Sequence, residues 1–285
     1  MKIAILSGKG GTGKTLLATN LAYVSQPSRY IDADVEEPNG FLALQPRIEE
    51  RTQVFIKIPA VDQSKCNGCR QCIDVCHYHA LAYTGERLVV FPTLCHSCGA
   101  CSYFCPTGAL SETIHSIGYT EQGVFEGVTA YSGTLRPGQL SGIPIIEALF
   151  EHVKDDEGLI WIDSPPGVAC QVIACVETAD FCLLVAEDSL FGLDNLIMAH
   201  QLTKTLHKRA GVVINKCYAP ISVCDSYCVS EGLPIIARIM FDIRLAKQGA
   251  EGRLIATSNG EYLELFKNLF KKVIEEVSNA PIACP

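Results

Sequence analysis

No stretch of this 285-residue chain stays apolar for long. The longest unbroken run is Phe181–Ala186, far short of the roughly 20 residues a helix needs to cross a bilayer. Ahead of the first glycine the apolar run is only Ile3 to Leu6, which speaks against a secretory leader. Basic residues are also short: 23 Lys and Arg stand against 31 Asp and Glu, a net charge of −8. That is the wrong sign for a protein that grips nucleic acid through its phosphates. Cysteine is absent before Cys66 and again between Cys105 and Cys170. No low-complexity linker interrupts the chain, and at 48% hydrophobic and 19% charged residues it is too apolar for disorder. The expectation is a cytoplasmic protein, with neither membrane insertion nor nucleic acid among its interactions.

What the chain does have is 15 cysteines, eight of them packed between Cys66 and Cys105. Without an export signal they are better read as metal ligands than as disulfides. The length suits one large domain, or one domain carrying an insertion. Short apolar runs at Lys2–Leu6, Leu159–Asp163, Phe181–Ala186, Gly211–Asn215 and Ile235–Ile239 have the character of buried parallel strands. Between them, Leu16–Val24, Ile143–His152 and Leu193–His207 carry apolar residues at helical spacing. Alternating strands and helices predict an α/β fold, a doubly wound and mostly parallel sheet covered on both faces. The cysteine block interrupts it. The expected division is residues 1–58 for the first part of the α/β domain, 59–115 for an insertion and 116–285 for the second part.

Directly after the first strand comes Gly8-Lys9-Gly10-Gly11-Thr12-Gly13-Lys14-Thr15, then an apolar helix opening at Leu16. This G-x-x-x-x-G-K-[ST] spacing, between a strand and a helix, is that of a phosphate-binding loop. Glycines let the backbone wrap a phosphate closely, and successive N–H groups with the helix N-terminus supply positive potential. Lys14 adds a point charge toward the terminal phosphates, and the Thr15 hydroxyl suits Mg²⁺. Residues 8–16 are therefore candidate nucleotide contacts. An ordinary glycine-rich turn is the alternative, and the strand–loop–helix setting disfavours it.

The segment Lys9–Thr15 resembles the deviant Walker A motif of the MinD/ParA family of P-loop ATPases. That family includes arsenite-transport-type ATPases, Mrp-type iron–sulfur carriers and the nitrogenase iron protein. Its mark is the extra lysine early in the loop, here Lys9. The resemblance implies Mg²⁺-dependent binding of ATP or ADP, ATP hydrolysis, and a nucleotide-dependent homodimer in which Lys9 reaches the nucleotide of the second copy. Tyr30–Asp34 resembles the family's switch I, which would give Asp34 the task of orienting the attacking water and Asp32 that of supporting the magnesium shell. Leu159–Gly167 resembles Walker B and switch II, with Asp163 near the metal and the Gly167 N–H facing the γ-phosphate. Thr15, Asp34 and Asp163 are thus the implied Mg²⁺ residues, and Lys9, Lys14 and Asp34 the implied catalytic ones. Asn215-Lys216 matches the family's position for adenine recognition by an asparagine amide, with a turn role as the alternative. The likeness covers nearly all of residues 1–55 and 116–270.

Within the cysteine block, Cys66-x2-Cys69-x2-Cys72-x3-Cys76 is followed by Cys95-x2-Cys98-x2-Cys101-x3-Cys105-Pro106. This is the two-cluster bacterial ferredoxin pattern written twice, in which the fourth cysteine of each run ligates the other cluster. One 4Fe–4S cluster should take Cys66, Cys69, Cys72 and Cys105, the other Cys95, Cys98, Cys101 and Cys76. Tetrahedral zinc also accepts C-x2-C pairs, but three cysteines at x2 and one at x3, duplicated, suit it poorly. The first run ends Cys76-His77 where many ferredoxins have Cys-Pro; His77 and His79 are expected to be exposed loop residues. In combination the chain resembles the MinD-superfamily ATPases that contain an inserted ferredoxin domain, a small α+β module.

Of the other cysteines, Cys170 and Cys175 are expected in the core, with a bridging cluster between protomers as the alternative. Cys182 lies in an apolar strand, and Cys217, Cys224 and Cys228 have no standard metal spacing. Cys284 belongs to a frayed tail. Tyr262–Val277 is amphipathic and expected to dock on the sheet rather than on a membrane. Three functions follow from the resemblance. The chain would couple nucleotide-driven dimer rearrangement to electron transfer, in metal or iron–sulfur cluster assembly; it would carry clusters to a client; or it would act as a partition-type spatial regulator. The first two imply a redox or cluster-accepting partner protein.

Overall fold

The computed structural model describes residues 1–279, so Cys284 lies outside the described residues. The strands are β1 (Lys2–Leu6), β2 (Ser28–Asp32), β3 (Arg47–Val61), β4 (Leu81–Tyr83), β5 (Leu88–Val90), β6 (Leu110–Phe125), β7 (Val128–Leu135), β8 (Ile160–Asp163), β9 (Phe181–Glu187), β10 (Ala210–Cys217) and β11 (Ile235–Met240). The helices are α1 (Lys14–Val24), α2 (Gly40–Leu44), α3 (Gln71–Asp74), α4 (Ala100–Tyr103), α5 (Ile143–Glu151), α6 (Cys170–Thr178), α7 (Leu190–Thr205), α8 (Asp225–Glu231), α9 (Ile243–Ala250) and α10 (Gly260–Asn279).

One sheet runs β11-β10-β9-β1-β8-β2-β7-β6-β3. It is parallel from β11 to β7 and antiparallel at β6 and β3. The central strands are apolar on both faces because helices cover both. Successive side chains alternate. Ile3 and Ile5 pack with α1 and α10, whereas Ala4 and Leu6 pack with the layer built from α5, α6 and α7. Helix α10 buries Tyr262, Phe266, Leu269 and Val273 against that first face, and Phe270 meets Trp161 edge-on. Each such buried side chain contributes roughly 1.5–3 kcal/mol, so the apolar stripe of α10 is spent on the core. Among the described residues no helix is long and apolar enough to cross a membrane.

The register matters more than the strand order. Ile5 lies beside Asp163, and Asp163 beside Asp32. Both carboxylates therefore leave the sheet next to the start of the loop that follows β1. Ligands of open α/β sheets collect at such carboxyl ends, where the chain winds in opposite directions from one strand.

The far edge was not legible as strands. β3 and β6 form a two-stranded ribbon whose ladder runs without a break in direction from Arg47↔Val124 to Val61↔Leu110. In the half where β6 also pairs with β7, β3 forms the edge of the sheet and is exposed from Arg47 through Gln53, so its residues lack the apolar run that announces a buried strand. The expected edges at 58/59 and 115/116 fall inside this ribbon, since Ile58 pairs with Thr113 and Phe55 with Ser116. Ladder hydrogen bonds depend on backbone geometry rather than composition, and the cysteine segment hangs from the tip beyond Val61 and Leu110.

In that segment the backbone repeats itself. Residues with positive φ occur at Gly68, Arg70 and His79, and again at Ser97, Gly99 and Gly108. Each stands at the same place relative to its cysteines. Arg70 and Gly99 lead into the short helices α3 and α4, and Cys72 and Cys101, at matching positions, are the buried thiols of the two runs.

Candidate functional site

The loop 8–13 joins β1 to α1, and α1 begins with no side-chain cap on its free N–H groups. Those groups point where an anion would sit. Two glycines are demanded by space. A Cβ on Gly8 would lie 2.5 Å from the Asn195 carbonyl oxygen, and one on Gly13, whose φ is +97°, would lie 2.4 Å from Asn215 Nδ2. The loop thus presses against α7 and β10 while its other side opens on a cleft of about 470 Å³. Lys9, Gly10, Gly11, Thr12, Gly13, Lys14, Thr15, Leu16, Asp34, Asn215 and Lys216 all border it. Among the described residues the Thr12 hydroxyl is one of three buried side-chain polar atoms with no partner.

Lys14 is buried and its Nζ donates to Asp163 Oδ1 at 2.9 Å. Burial opposes its charge, but Asp163, with Asp34 and Asp32 behind it, raises the ammonium above the ordinary lysine value. Asp163 also accepts from the Tyr30 hydroxyl at 3.1 Å. Asp32 is buried too, accepting from the Asp34 N–H at 3.2 Å and the Gly40 N–H at 2.8 Å. Burial, then the nearby Asp163 charge, raises its carboxyl far above the usual range. Burial likewise pushes half-buried Asp34 up to about 6, against the pull of Lys14. Three carboxylates share one lysine, a balance that favours a cation. Among the described residues no three His, Cys, Asp or Glu side chains converge on the position of one metal ion, a closer approach than the thiols around a four-iron cube require. Mg²⁺ needs no such cage, because it keeps waters and takes phosphate oxygens beside one or two carboxylates.

Two expectations are corrected by the geometry, those for Gly167 and Cys170. The Gly167 N–H donates to the Ser7 carbonyl at 2.9 Å, so it holds the switch segment to the loop instead of facing the cleft. The Asn215 amide is engaged within the chain: Nδ2 donates to the Thr12 carbonyl at 2.8 Å and Oδ1 accepts from the Lys216 N–H at 2.9 Å. It straps the loop and still borders the cleft, with a second amide N–H and a second oxygen lone pair available. Cys170 is exposed, not core, because it opens α6 on the solvent side, whereas Cys175 is buried.

Sequence reasoning missed Glu187. It ends β9 as Asp163 ends β8, and a carboxylate closing a central strand was the available signal. Its carboxylate binds Lys9 at 2.5 Å and Lys216 at 3.4 Å, and Lys9 also lies over the Phe191 ring at 4.8 Å. Lys9 chiefly, and Lys216, hold Glu187 below the usual carboxylate range although burial works the other way.

At the ribbon tip the eight cysteines fall into two groups. Cys66, Cys69, Cys72 and Cys105 line one cavity; Cys76, Cys95, Cys98 and Cys101 line the other. Backbone N–H groups donate to sulfur from Ala80 to Cys76 at 3.3 Å and from Ser97 to Cys95 at 3.4 Å. Tyr78 and His96 stack with ring centroids 3.6 Å apart, beside the second cavity. His77 and His79 are exposed. Elsewhere Cys182, Cys217, Cys224 and Cys228 are buried in the core under α7 and α8.

A phosphate-cradling loop at the head of a parallel sheet, with carboxylates at the neighbouring strand ends, defines a P-loop nucleotide-binding protein. The profile of the CobQ/CobB/MinD/ParA nucleotide binding domain matches residues 3–255, and the chain belongs to that family. It is similar to an uncharacterized protein of Methanocaldococcus jannaschii, MJ0578, with 29% identity over 279 residues, 96% of this chain and 97% of the relative. An uncharacterized ferredoxin of the same organism, MJ0722, is 39% identical over 54 residues, 18% of this chain and 70% of that one. The septum site-determining protein MinD of Pyrococcus horikoshii, solved with Mg-ADP, shares the fold at a TM-score of 0.59, with 16% identity and 99% of each chain covered.

Proposed function

We propose that this protein binds and hydrolyses ATP with Mg²⁺ and couples nucleotide-driven closure of a homodimer to electron transfer through two 4Fe–4S clusters. The observation that carries this is the pairing of four thiols around each of two cavities at the end of a ribbon that starts just behind the nucleotide cleft. The residues fit such clusters. The donor set is all thiol, loops with positive φ wrap it, and amide N–H groups donate to the sulfurs, which favours thiolate ligands. Bound clusters would supply one-electron chemistry. A biological role in metal or iron–sulfur cluster assembly follows from the family resemblance, with an unidentified redox or cluster-accepting protein as partner.

The chain's own residues account for the coupling. Asp32 holds the N-terminus of α2 through Gly40, and α2 leads directly into β3. A change at the switch would therefore pass into the ribbon. Lys9, bound to Glu187 and Phe191 of its own chain, must leave them to reach the nucleotide of a second copy. A ligand drives such a change only by binding one state better than the other. Lys9→Ala is expected to bind ATP as a monomer, yet neither dimerise nor shift its cluster potentials when a non-hydrolysable ATP analogue is added. Analytical ultracentrifugation and redox titration would check this, and a Lys9→Ala protein that still does both breaks the coupling. Asp34→Ala is expected to keep ATP affinity within about threefold and lose turnover by at least about a hundredfold, read by phosphate release. Unimpaired turnover removes Asp34 from the mechanism.

A carrier role is the second reading, favoured by the exposed Cys170 thiol next to the switch segment. Anaerobic iron and sulfide counting separates the two. About eight irons that stay bound support electron transfer, and an additional transferable cluster supports a carrier.

A further inference from the structure

One buried hydroxyl in the cysteine segment has no partner in the protein. Among the described residues, Ser102 Oγ is shut off from solvent and bonded to nothing, and Ser102 lines the cavity of Cys76, Cys95, Cys98 and Cys101. A hydroxyl left unpaired in the interior costs about 1–3 kcal/mol, so its place against a ring of sulfur atoms calls for an acceptor there. The duplication supplies an internal comparison. The equivalent residue in the first run is Ile73, the residue after Cys72, which packs as an apolar side chain and can donate nothing. The other cavity is bordered by the hydroxyls of Tyr83 and Thr107, the latter 3.7 Å from Cys105 and open to water, and neither is a buried hydroxyl left without a partner.

We propose that the Ser102 hydroxyl donates a hydrogen bond to a sulfur of the cluster held by Cys76, Cys95, Cys98 and Cys101, and raises the reduction potential of that cluster alone. This inference rests on the two-cluster function proposed above. Reduction adds one electron to the cluster and breaks no bond. The extra negative charge strengthens a hydrogen bond to sulfur, so the donor stabilises the reduced form. The cavity concerned is the one bordered by Lys57, Ile58, Pro59 and Glu112 of the ribbon, and Ser97 beside it accepts from the Lys57 N–H at 3.0 Å. Ser102 therefore sets the potential at the cluster attached most directly to the ribbon that leads to the nucleotide domain.

The test is an EPR-monitored titration of the anaerobically purified full-length protein with dithionite and redox mediators. In Ser102→Ala, reduction of one cluster should become about tenfold less favourable, a fall of about 59 mV for one electron, while the other midpoint stays fixed. The pair Ser102→Thr and Ser102→Val separates chemistry from packing, since Thr keeps the hydroxyl and Val keeps the size. Thr should hold the wild-type midpoint and Val should lose it. The shifted signal should survive in Cys69→Ser, which disturbs the other cluster. Midpoints that stay unmoved in Ala and Val variants retaining about eight irons overturn the role of Ser102 and leave the two-cluster reading intact. A shift in the signal that Cys69→Ser removes also overturns it. A wild type without that iron fails earlier, at the assay, and takes the cluster reading with it.

Discussion

Lys14→Ala should abolish nucleotide binding, with affinity for ATP falling at least about a hundredfold, or ~2.8 kcal/mol. The lysine adds a positive charge to the backbone N–H groups of the loop, whose other lysine, Lys9, is held by Glu187, and a charge-assisted bond to phosphate is among the strong hydrogen bonds. The same variant should be less stable. Lys14 is the counter-charge of the fully buried Asp163, and removing one partner of a buried pair costs roughly 3–5 kcal/mol. The Tyr30 hydroxyl remains on Asp163 and softens that loss. Calorimetric titration with ATP and thermal denaturation read the two effects separately. A folded Lys14→Ala protein with normal ATP affinity would sink the assignment of the loop.

Cys105→Ser should cost the protein half its iron, from about eight atoms to about four, and it should be the unexpected half. Cys105 closes the second cysteine run, yet it lines the cavity of Cys66, Cys69 and Cys72. Its loss should therefore erase the same EPR signal as Cys66→Ser. Cys95→Ser should erase the other, together with Cys76→Ser, because Cys76 faces the second cavity. Serine is close in size to cysteine, so losses arise from ligation more than from packing. If Cys105→Ser and Cys95→Ser remove the same signal, the clusters follow the order of the chain and the exchanged ligand sets are wrong.

Much of the nucleotide half was legible because its determinants are local. The runs at Lys2–Leu6 and Phe181–Ala186 are apolar on both faces, and both lie within strands of the structure. The glycine-rich loop must stand between a strand and a helix to work, and it does. The ribbon was illegible for the opposite reason. A solvated antiparallel pair needs no apolar run, and its long ladder is visible only when residues some 50 to 80 positions apart are brought together. Cys170 misled because its exposure depends on where the first turn of α6 faces, which its neighbours in sequence do not reveal.

By itself the sequence determined the elements and the chemistry they carry: a phosphate loop, carboxylates at strand ends, and two cysteine runs with repeated spacing. These follow from φ preferences, side-chain periodicity and ligand spacing, all of which act over a few residues. Only the tertiary structure decided which partners those groups have. The sheet register set Asp163 between Lys14 and Tyr30. The contact of the loop with β10 made the Asn215 amide a strap on Thr12. The strand end at Glu187 tied Lys9 down. Such pairings join residues far apart in the chain, and they form only because burial of the two core faces holds the strands and helices in one arrangement.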